Sequence, residues 1–445
     1  MKTILITCIR GLIARNILAT DAFSRLAKEP GLKIVVVASE QNVSALRREF
    51  GGPNVIFEGI HMPAKEIPDG FDRLLWTIAT NLLPTKTREV QRRVKFALDR
   101  NRFDYAASVI FGFLGRIGWV RRMSRFFVGI LLGYREYERL FKKYRPDLVF
   151  ATDVFALQDV KLMLAAKKSG VKTVGMVRSW DNVTSKTLLM HIPDEVVVNG
   201  PRIQNELIRY GDVPGERIFI TGVPHYDHYR SQDCMPRSDF MRKFGFDENK
   251  KLVLFATPSD RYLRDNLVSP LVVDALAASG LQVLIRPPIV GRSGLEGKAL
   301  PPNMRLDDPG DYGDFVNINM DRAADRHLAD SLNAADVVVT WASTMIVDAI
   351  AFMKPVVLVG FDETPRPYHE GILKYYDYEH HQFILASGGV RLAKSPDELC
   401  DWVMRYIKEP ELDRDGRAAI VAAHCGALDG RAGERLATYI LNAMP

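Results

Sequence analysis

The sequence predicts an α/β protein made of two doubly wound domains, each a parallel sheet wrapped by helices. Three observations lead there: the length of the chain, a repeated alternation of short apolar runs with helical stretches, and a polar break after which that alternation starts again. At 445 residues the chain exceeds the ~250–300 residues at which a single hydrophobic core stops growing. Short runs rich in Val and Ile, set between helical stretches, read as strands buried on both faces. In the first half these are 2–7, 33–38, 55–57, 148–151, 173–177, 195–199 and 217–221. After Tyr229 the chain turns polar and irregular through Lys250, so 229–250 reads as a linker, with a helical turn or two at 239–244. The strands resume at 252–256, 282–286, 336–340 and 355–359.

This assigns 1–228 to a first domain and 251–415 to a second. Residues 395–407 read as a helix, a break follows at Glu409-Pro410, and 416–445 forms terminal helices placed to brace the first domain. Two successive doubly wound halves imply a central cleft, with ligand groups supplied by loops at the carboxyl ends of the strands.

Composition narrows the class. An apolar fraction of 47% and a charged fraction of 26% are those of a globular domain. Arg10 and Arg15 interrupt the apolar start, so it reads as a first strand and helix, not a signal peptide. The four cysteines, Cys8, Cys234, Cys400 and Cys425, are scattered without a CxxC pair. That suits a reducing cytoplasm and argues against a structural zinc. Asp, Glu and His are likewise too dispersed for a metal cluster.

The net charge of +6 is unevenly spread. Residues 85–145 read as a basic helical insertion in the first domain, and within 109–145 arginines mix with Phe, Ile, Leu and Trp119. Its longest apolar run is far short of the about 20 residues that span a bilayer. Two readings are open: a peripheral attachment to an anionic membrane surface on the cytoplasmic side, or a helical insertion packed on its own domain. Nucleic acid ranks last as a partner and is not expected, because no recognisable nucleic-acid module accompanies the patch.

The chemistry concentrates at 340–348. Asp336-Val337-Val338-Val339-Thr340 is a buried-strand signature, Trp341-Ala342 makes a turn, and Ser343-Thr344 opens a helix ended by Lys354-Pro355. Free N–H groups and the positive helix end favour phosphate there, and two hydroxyls add donors. Asp348 falls one helical turn below Thr344, where a carboxylate can accept bonds from paired sugar hydroxyls. Ser343 as a simple helix cap is the competing reading.

The stretch 328–359 resembles the donor-binding segment of GT-B enzymes, which carry two Rossmann-like domains. The likeness is to CDP-glycerol glycerophosphotransferases and bacterial surface-polysaccharide glycosyltransferases, in the pattern Asp336-Val337 through Ser343-Thr344, Asp348 and Lys354-Pro355-Val356. Glu216 to Pro224 is similar to the same superfamily, which includes UDP-N-acetylglucosamine 2-epimerases, and Leu428 to Leu436 resembles its Asp-Gly-x-Ala-x-x-Arg ending. The resemblance implies a nucleotide-sugar as substrate and no further cofactor. It also implies a transferase that moves a sugar, with inversion, to a cell-envelope glycan or lipid-linked precursor. One departure is Ile285-Arg286-Pro287-Pro288, where the family often has Arg-Pro-His-Pro; the missing His disfavours polyol-phosphate transfer. Arg286 is still expected to neutralise a diphosphate. The epimerases carry a His-x-Glu-Ala-Gly-x-Arg-Ser segment, and its counterpart at 176–180 lacks the His and the Glu. A fourth reading is an inactive sugar-nucleotide-binding scaffold.

The first domain is expected to supply the acceptor site and the base. Asp181 is the first candidate, in a run where Trp180 could stack on a ring and Asn182 and Lys186 could orient hydroxyls or phosphate. A turn in which Asp181 and Asn182 bond backbone amides is the alternative. Asp153, at another strand end, is the second candidate. Arg10-Gly11 after the first strand could meet a phosphate. His225, and the His369-Glu370 pair after the strand that follows the donor helix, fall in loops on the same side.

Overall fold

The computed structural model describes residues 1–9, 13–61, 68–230, 234–263, 266–307 and 322–445. It divides into two compact units, the first built from Met1–Asp227 with His424–Pro445, the second from His228–Asp314 with Arg322–Ala423.

In the first unit seven parallel strands, β1 (Lys2–Cys8), β2 (Leu32–Ser39), β3 (Val55–Ile60), β4 (Leu148–Ala151), β5 (Lys172–Met176), β6 (Glu195–Val198) and β7 (Ile218–Ile220), lie in the order β3-β2-β1-β4-β5-β6-β7. Successive side chains leave a strand on opposite faces. Ile4 and Ile6 of β1 accordingly join one core layer with Ile34, Val36 and Phe150. Leu5 joins the other with Val35, Val37 and Val149. Burial on both faces is why these strands read as unbroken apolar runs.

The second unit repeats the plan with six parallel strands: β8 (Leu252–Ala256), β9 (Gln282–Arg286), β10 (Met304–Leu306), β11 (Val337–Thr340), β12 (Val356–Val359) and β13 (Arg391–Ala393), in the order β10-β9-β8-β11-β12-β13. This is the dinucleotide-fold order, and its strand sequence reverses between β8 and β11. The segment expected as a linker belongs to this unit: the helix Arg237–Lys243 packs on the helix Arg322–Ala334, and the Met235 N–H donates to Asp330 at 2.8 Å.

The terminal helix Ala432–Ala443 is part of the first unit, with Leu436, Ala437 and Ile440 buried in its core. Asp227 accepts the N–H groups of Ala432 and Gly433 at 2.9 and 2.7 Å, which satisfies two orphan donors of the first turn. A Cβ on Gly433 would lie 2.9 Å from the Ala22 nitrogen, so only glycine allows this approach.

Between β3 and β4 the helices Gly70–Leu82, Lys86–Asp99, Arg102–Leu114, Gly118–Leu131 and Arg135–Tyr144 form the insertion. Gly115 sits so close to the Leu82 carbonyl that a Cβ would fall 1.8 Å from its oxygen. Among the described residues no helix is long and apolar enough to cross a membrane.

Candidate functional site

β11 delivers Thr340 to the carboxyl edge of the second sheet, beside the end of β8. Its buried hydroxyl lies 3.3 Å from the Ala256 carbonyl, to which it donates, and 3.1 Å from the Ser343 hydroxyl. The following turn is held from two sides. The Trp341 ring packs edge-on against Tyr375 at 5.4 Å and tilted against Tyr262 at 5.3 Å. The buried Tyr376 hydroxyl donates to the Val359 carbonyl at 2.7 Å and accepts the Ala342 N–H, and burial pushes its ionisation well above that of an ordinary phenol. Thr344 stands exposed at the start of the helix Met345–Ala351. The Ile346 and Val347 N–H groups bond back to the Ser343 and Thr344 carbonyls at 3.3 and 3.0 Å, so the hydroxyls and the amides that precede them, at 343–345, lie where the strand order reverses.

Asp348 is one turn further on, its N–H bonded to the Thr344 carbonyl at 3.2 Å. Its carboxylate is buried and accepts the Tyr229 hydroxyl at 3.4 Å. The loop after β8 brings Arg261, which spacing did not single out: it is exposed and adjoins Tyr262, whose ring touches Trp341. That loop is fixed by Asn266, whose amide donates to the carbonyls of Pro258 and Ser293 at 2.8 and 2.5 Å.

Arg286 requires a correction. Expected to meet a diphosphate, its guanidinium is instead buried and donates to Asp307 at 2.6 Å, while His327 lies 2.6 Å from the other Asp307 oxygen. Burial would raise the Asp307 carboxyl, but the His327 hydrogen bond and the Arg286 charge outweigh it and hold it below the usual range. Such a pair is costly to open, so Arg286 holds β9 and the end of β10 together.

After β12, Asp362 accepts the Ile372 N–H with both oxygens at 3.1–3.2 Å, and burial raises its pKa. His369 and Glu370 lie 3.6 Å apart. The His369 carbonyl takes the Lys374 ammonium at 2.9 Å, and burial lowers the pKa of that lysine.

In the first unit the corresponding strand reversal lies between β1 and β4. Here Thr7 donates to Asp159 at 2.5 Å and shares a 3.0 Å contact with Thr152. Asp153, the second-choice base, is buried: one oxygen accepts the Phe155 N–H at 3.2 Å and the other faces Arg178 at 3.1 Å. Both oxygens are engaged within the unit, an arrangement that suits a structural anchor. Asp181 is half-buried, oriented by the hydroxyls of Ser179 at 2.5 Å and Ser185 at 3.2 Å. Trp180 is buried, its ring edge-on to His424 at 5.2 Å, so in this arrangement its ring is spent on packing. Asn182 is buried with an amide nitrogen that finds no partner among the described residues. Lys186 ends the short helix Asn182–Ser185 and is half-buried. His225, also half-buried, packs on Tyr226 at 4.5 Å. Arg10 and Gly11 lie outside the described residues. Among the described residues no group of His, Cys, Asp and Glu is set to hold a metal.

No family model matches the chain, and no curated protein is similar to it in sequence. Solved structures are similar along its whole length. A UDP-GlcNAc 2-epimerase from Neisseria meningitidis bound to UDP-GlcNAc superposes with a TM-score of 0.56 at 12% identity, covering 99% of this chain and 100% of that one. UGT89C1 of Arabidopsis thaliana complexed with UDP gives 0.53 at 11% identity, with 100% of both chains covered. A glycosyltransferase from Rickettsia africae gives 0.50 at 11%, covering 99% and 98%.

The chain has the GT-B fold. In the Rossmann-like second unit of this GT-B chain, the turn 340–344 occupies the strand reversal where such sheets take their ligands.

Proposed function

We propose that this GT-B chain is a metal-independent glycosyltransferase that moves a sugar from a nucleotide-activated donor to a cell-envelope glycan or its lipid-linked precursor. One observation carries the reading: the Thr340–Ser343 hydroxyl pair and the exposed Thr344 at the strand reversal of the second sheet. The donor diphosphate is assigned to Ser343, Thr344 and the adjacent amides, with Arg261 in the role first given to Arg286. Asp348 is kept for the donor's paired hydroxyls, with Tyr229 as the group it must share. His369 and Glu370 stay assigned to the donor side. Asp181 is the base: it takes the proton of the acceptor hydroxyl as that oxygen bonds to the anomeric carbon and the carbon–diphosphate bond breaks. Asn182, Lys186 and His225 are assigned to the acceptor.

Epimerisation at a sugar nucleotide is the second reading, favoured by the likeness to the Neisseria epimerase and opposed by the absence of His and Glu at 176–180. Thermal shift with UDP, CDP, CMP, GDP and TDP tests the donor site, because a ligand that binds only the folded chain raises its melting temperature. One of them is expected to stabilise; stabilisation by none overturns the reading. Asp181→Asn is expected to lower transfer by roughly 10²–10⁴-fold with binding of the nucleotide intact.

A further inference from the structure

The helix Gly118–Leu131 carries its polarity inside out. Trp119, Met123, Phe126, Phe127, Ile130 and Leu131 recur at helical spacing and are all exposed, Trp119 by 66%, Ile130 by 61% and Phe126 by 59%. The inward face holds two guanidinium groups. Arg121 binds Asp212 through both nitrogens of its fork and the Gly115 carbonyl at 2.7 Å. Arg125 donates to Asp212 at 2.7 Å and to the carbonyls of Leu189 and Gly211 at 2.8 Å each. A surface helix of a globular domain normally does the reverse.

Two further helices extend the apolar surface: Gly70–Leu82 packs on this helix, and Arg102–Leu114 packs on Gly70–Leu82 in turn. Arg102–Leu114 exposes Phe103, Ile110 and Phe113, the first by 82%, and Gly70–Leu82 exposes Phe71 and Leu74. The ion pairs to Asp212 and the Gly115–Leu82 approach fix this face on the first unit, so it does not turn inward to hide. An exposed apolar surface of this extent marks a docking site.

Charge selects the occupant. In residues 102–131 the exposed charged groups are Arg102, Arg116, Arg122 and Asp104, and Asp104 lies 3.4 Å from Lys95. A second copy of the chain would press one cationic rim against another. An anionic lipid leaflet offers opposite charge at the rim and hydrocarbon beneath the aromatic side chains. No described helix can span the bilayer, so the contact is interfacial.

We propose that the outward face of the helices Arg102–Leu114 and Gly118–Leu131 seats the first unit on an anionic lipid surface, with Trp119, Phe126 and Phe127 entering the headgroup region. Arg121 and Arg125 hold the helix to the protein and do not meet lipid, so the segment 109–145 divides between the two readings its sequence left open.

The test is flotation of the full chain with vesicles of phosphatidylcholine alone or mixed with phosphatidylglycerol. The chain is expected to float with the anionic vesicles, less so as salt is raised. Phe126→Ser/Phe127→Ser is expected to weaken partitioning by at least about tenfold. Arg116→Ser/Arg122→Ser should remove most of the preference for anionic over neutral vesicles. These side chains are exposed, so unchanged melting curves show that the variants fold. Absence of flotation, or flotation unchanged in both variants, overturns the proposal. So does a concentration-dependent dimer abolished by Phe126→Ser/Phe127→Ser in a chain that ignores vesicles, which gives the face to a second copy. The proposal stands apart from the donor reading, since nucleotide stabilisation of the same variants reports on that site alone.

Discussion

The two sheets reverse strand order in the same way but fill the reversal differently. Between β1 and β4 the first unit spends charged groups on itself: Asp159 takes the Thr7 hydroxyl, and Asp153 takes the Phe155 N–H and faces Arg178. Between β8 and β11 the second unit places two small hydroxyls that bond each other and one carbonyl, with Thr344 and Arg261 exposed alongside. A paired, buried charge resists exchange with a ligand, because opening it leaves an uncompensated ion. A hydroxyl pair gives up one bond of modest net worth and regains it from the incoming phosphate. Among the described residues, the same strand reversal is thus filled by paired charges in one unit and by small hydroxyls in the other, and the second arrangement is the one suited to exchange with a ligand.

Removing a charge from the first unit's reversal gives the largest expected effect. Asp153→Ala leaves Arg178 buried without its counter-charge and should cost about 3–5 kcal/mol of unfolding free energy in urea. Nucleotide stabilisation of the protein that remains folded should persist. If the variant is as stable as the parent but has lost transfer, Asp153 is chemical and the contrast between the two reversals fails.

Most strands were legible as apolar runs because burial on both faces leaves little room for polar residues. β10 and β13 were not. Each has three residues, including Arg305 or Arg391, and each owes its existence to pairing at a sheet edge. The helix read at 395–407 starts at Ser395, whose hydroxyl accepts the Glu398 N–H at 3.1 Å, a cap of the Ser-x-x-Glu kind. In the candidate site, spacing around one helix start put Ser343, Thr344 and Asp348 forward together. It gave no sign that Arg286 pairs with Asp307, 21 residues on, because which cation is buried depends on a partner elsewhere in the chain. The inverted helix teaches the same lesson. Its mixture of arginines with aromatic and aliphatic residues was visible, but the inward face is chosen by Asp212, some 90 residues away.

A smaller effect separates the second unit's own buried pair from its turn. Asp307 is held below the ordinary carboxylate range, so its contribution to stability is complete above about pH 4, its unfolded value, and is lost as pH falls through the lower folded value. Asp307→Asn should therefore be less stable at neutral pH and show a shallower loss of stability below about pH 4 than the parent. Nucleotide affinity measured at neutral pH on the folded variant should not change. A loss of affinity there would return Arg286, through its partner, to the donor site.

The smallest effect is the sharpest test of the second unit's turn. Ser343→Ala removes one hydroxyl from a turn still held by the Trp341 packing and the Tyr376 hydrogen bonds, so its stability cost should stay below about 1 kcal/mol. If that hydroxyl turns from Thr340 to a phosphate oxygen on binding, affinity for the stabilising nucleotide should fall by roughly fivefold, the worth of one such bond. The corresponding nucleoside, which has no phosphate to receive it, should bind both forms equally in calorimetry. Equal weakening for nucleoside and nucleotide would mean that Ser343 shapes the turn without touching the anion. In that case the second reversal is a structural joint like the first, and the diphosphate must be held by Arg261 and the helix amides without it.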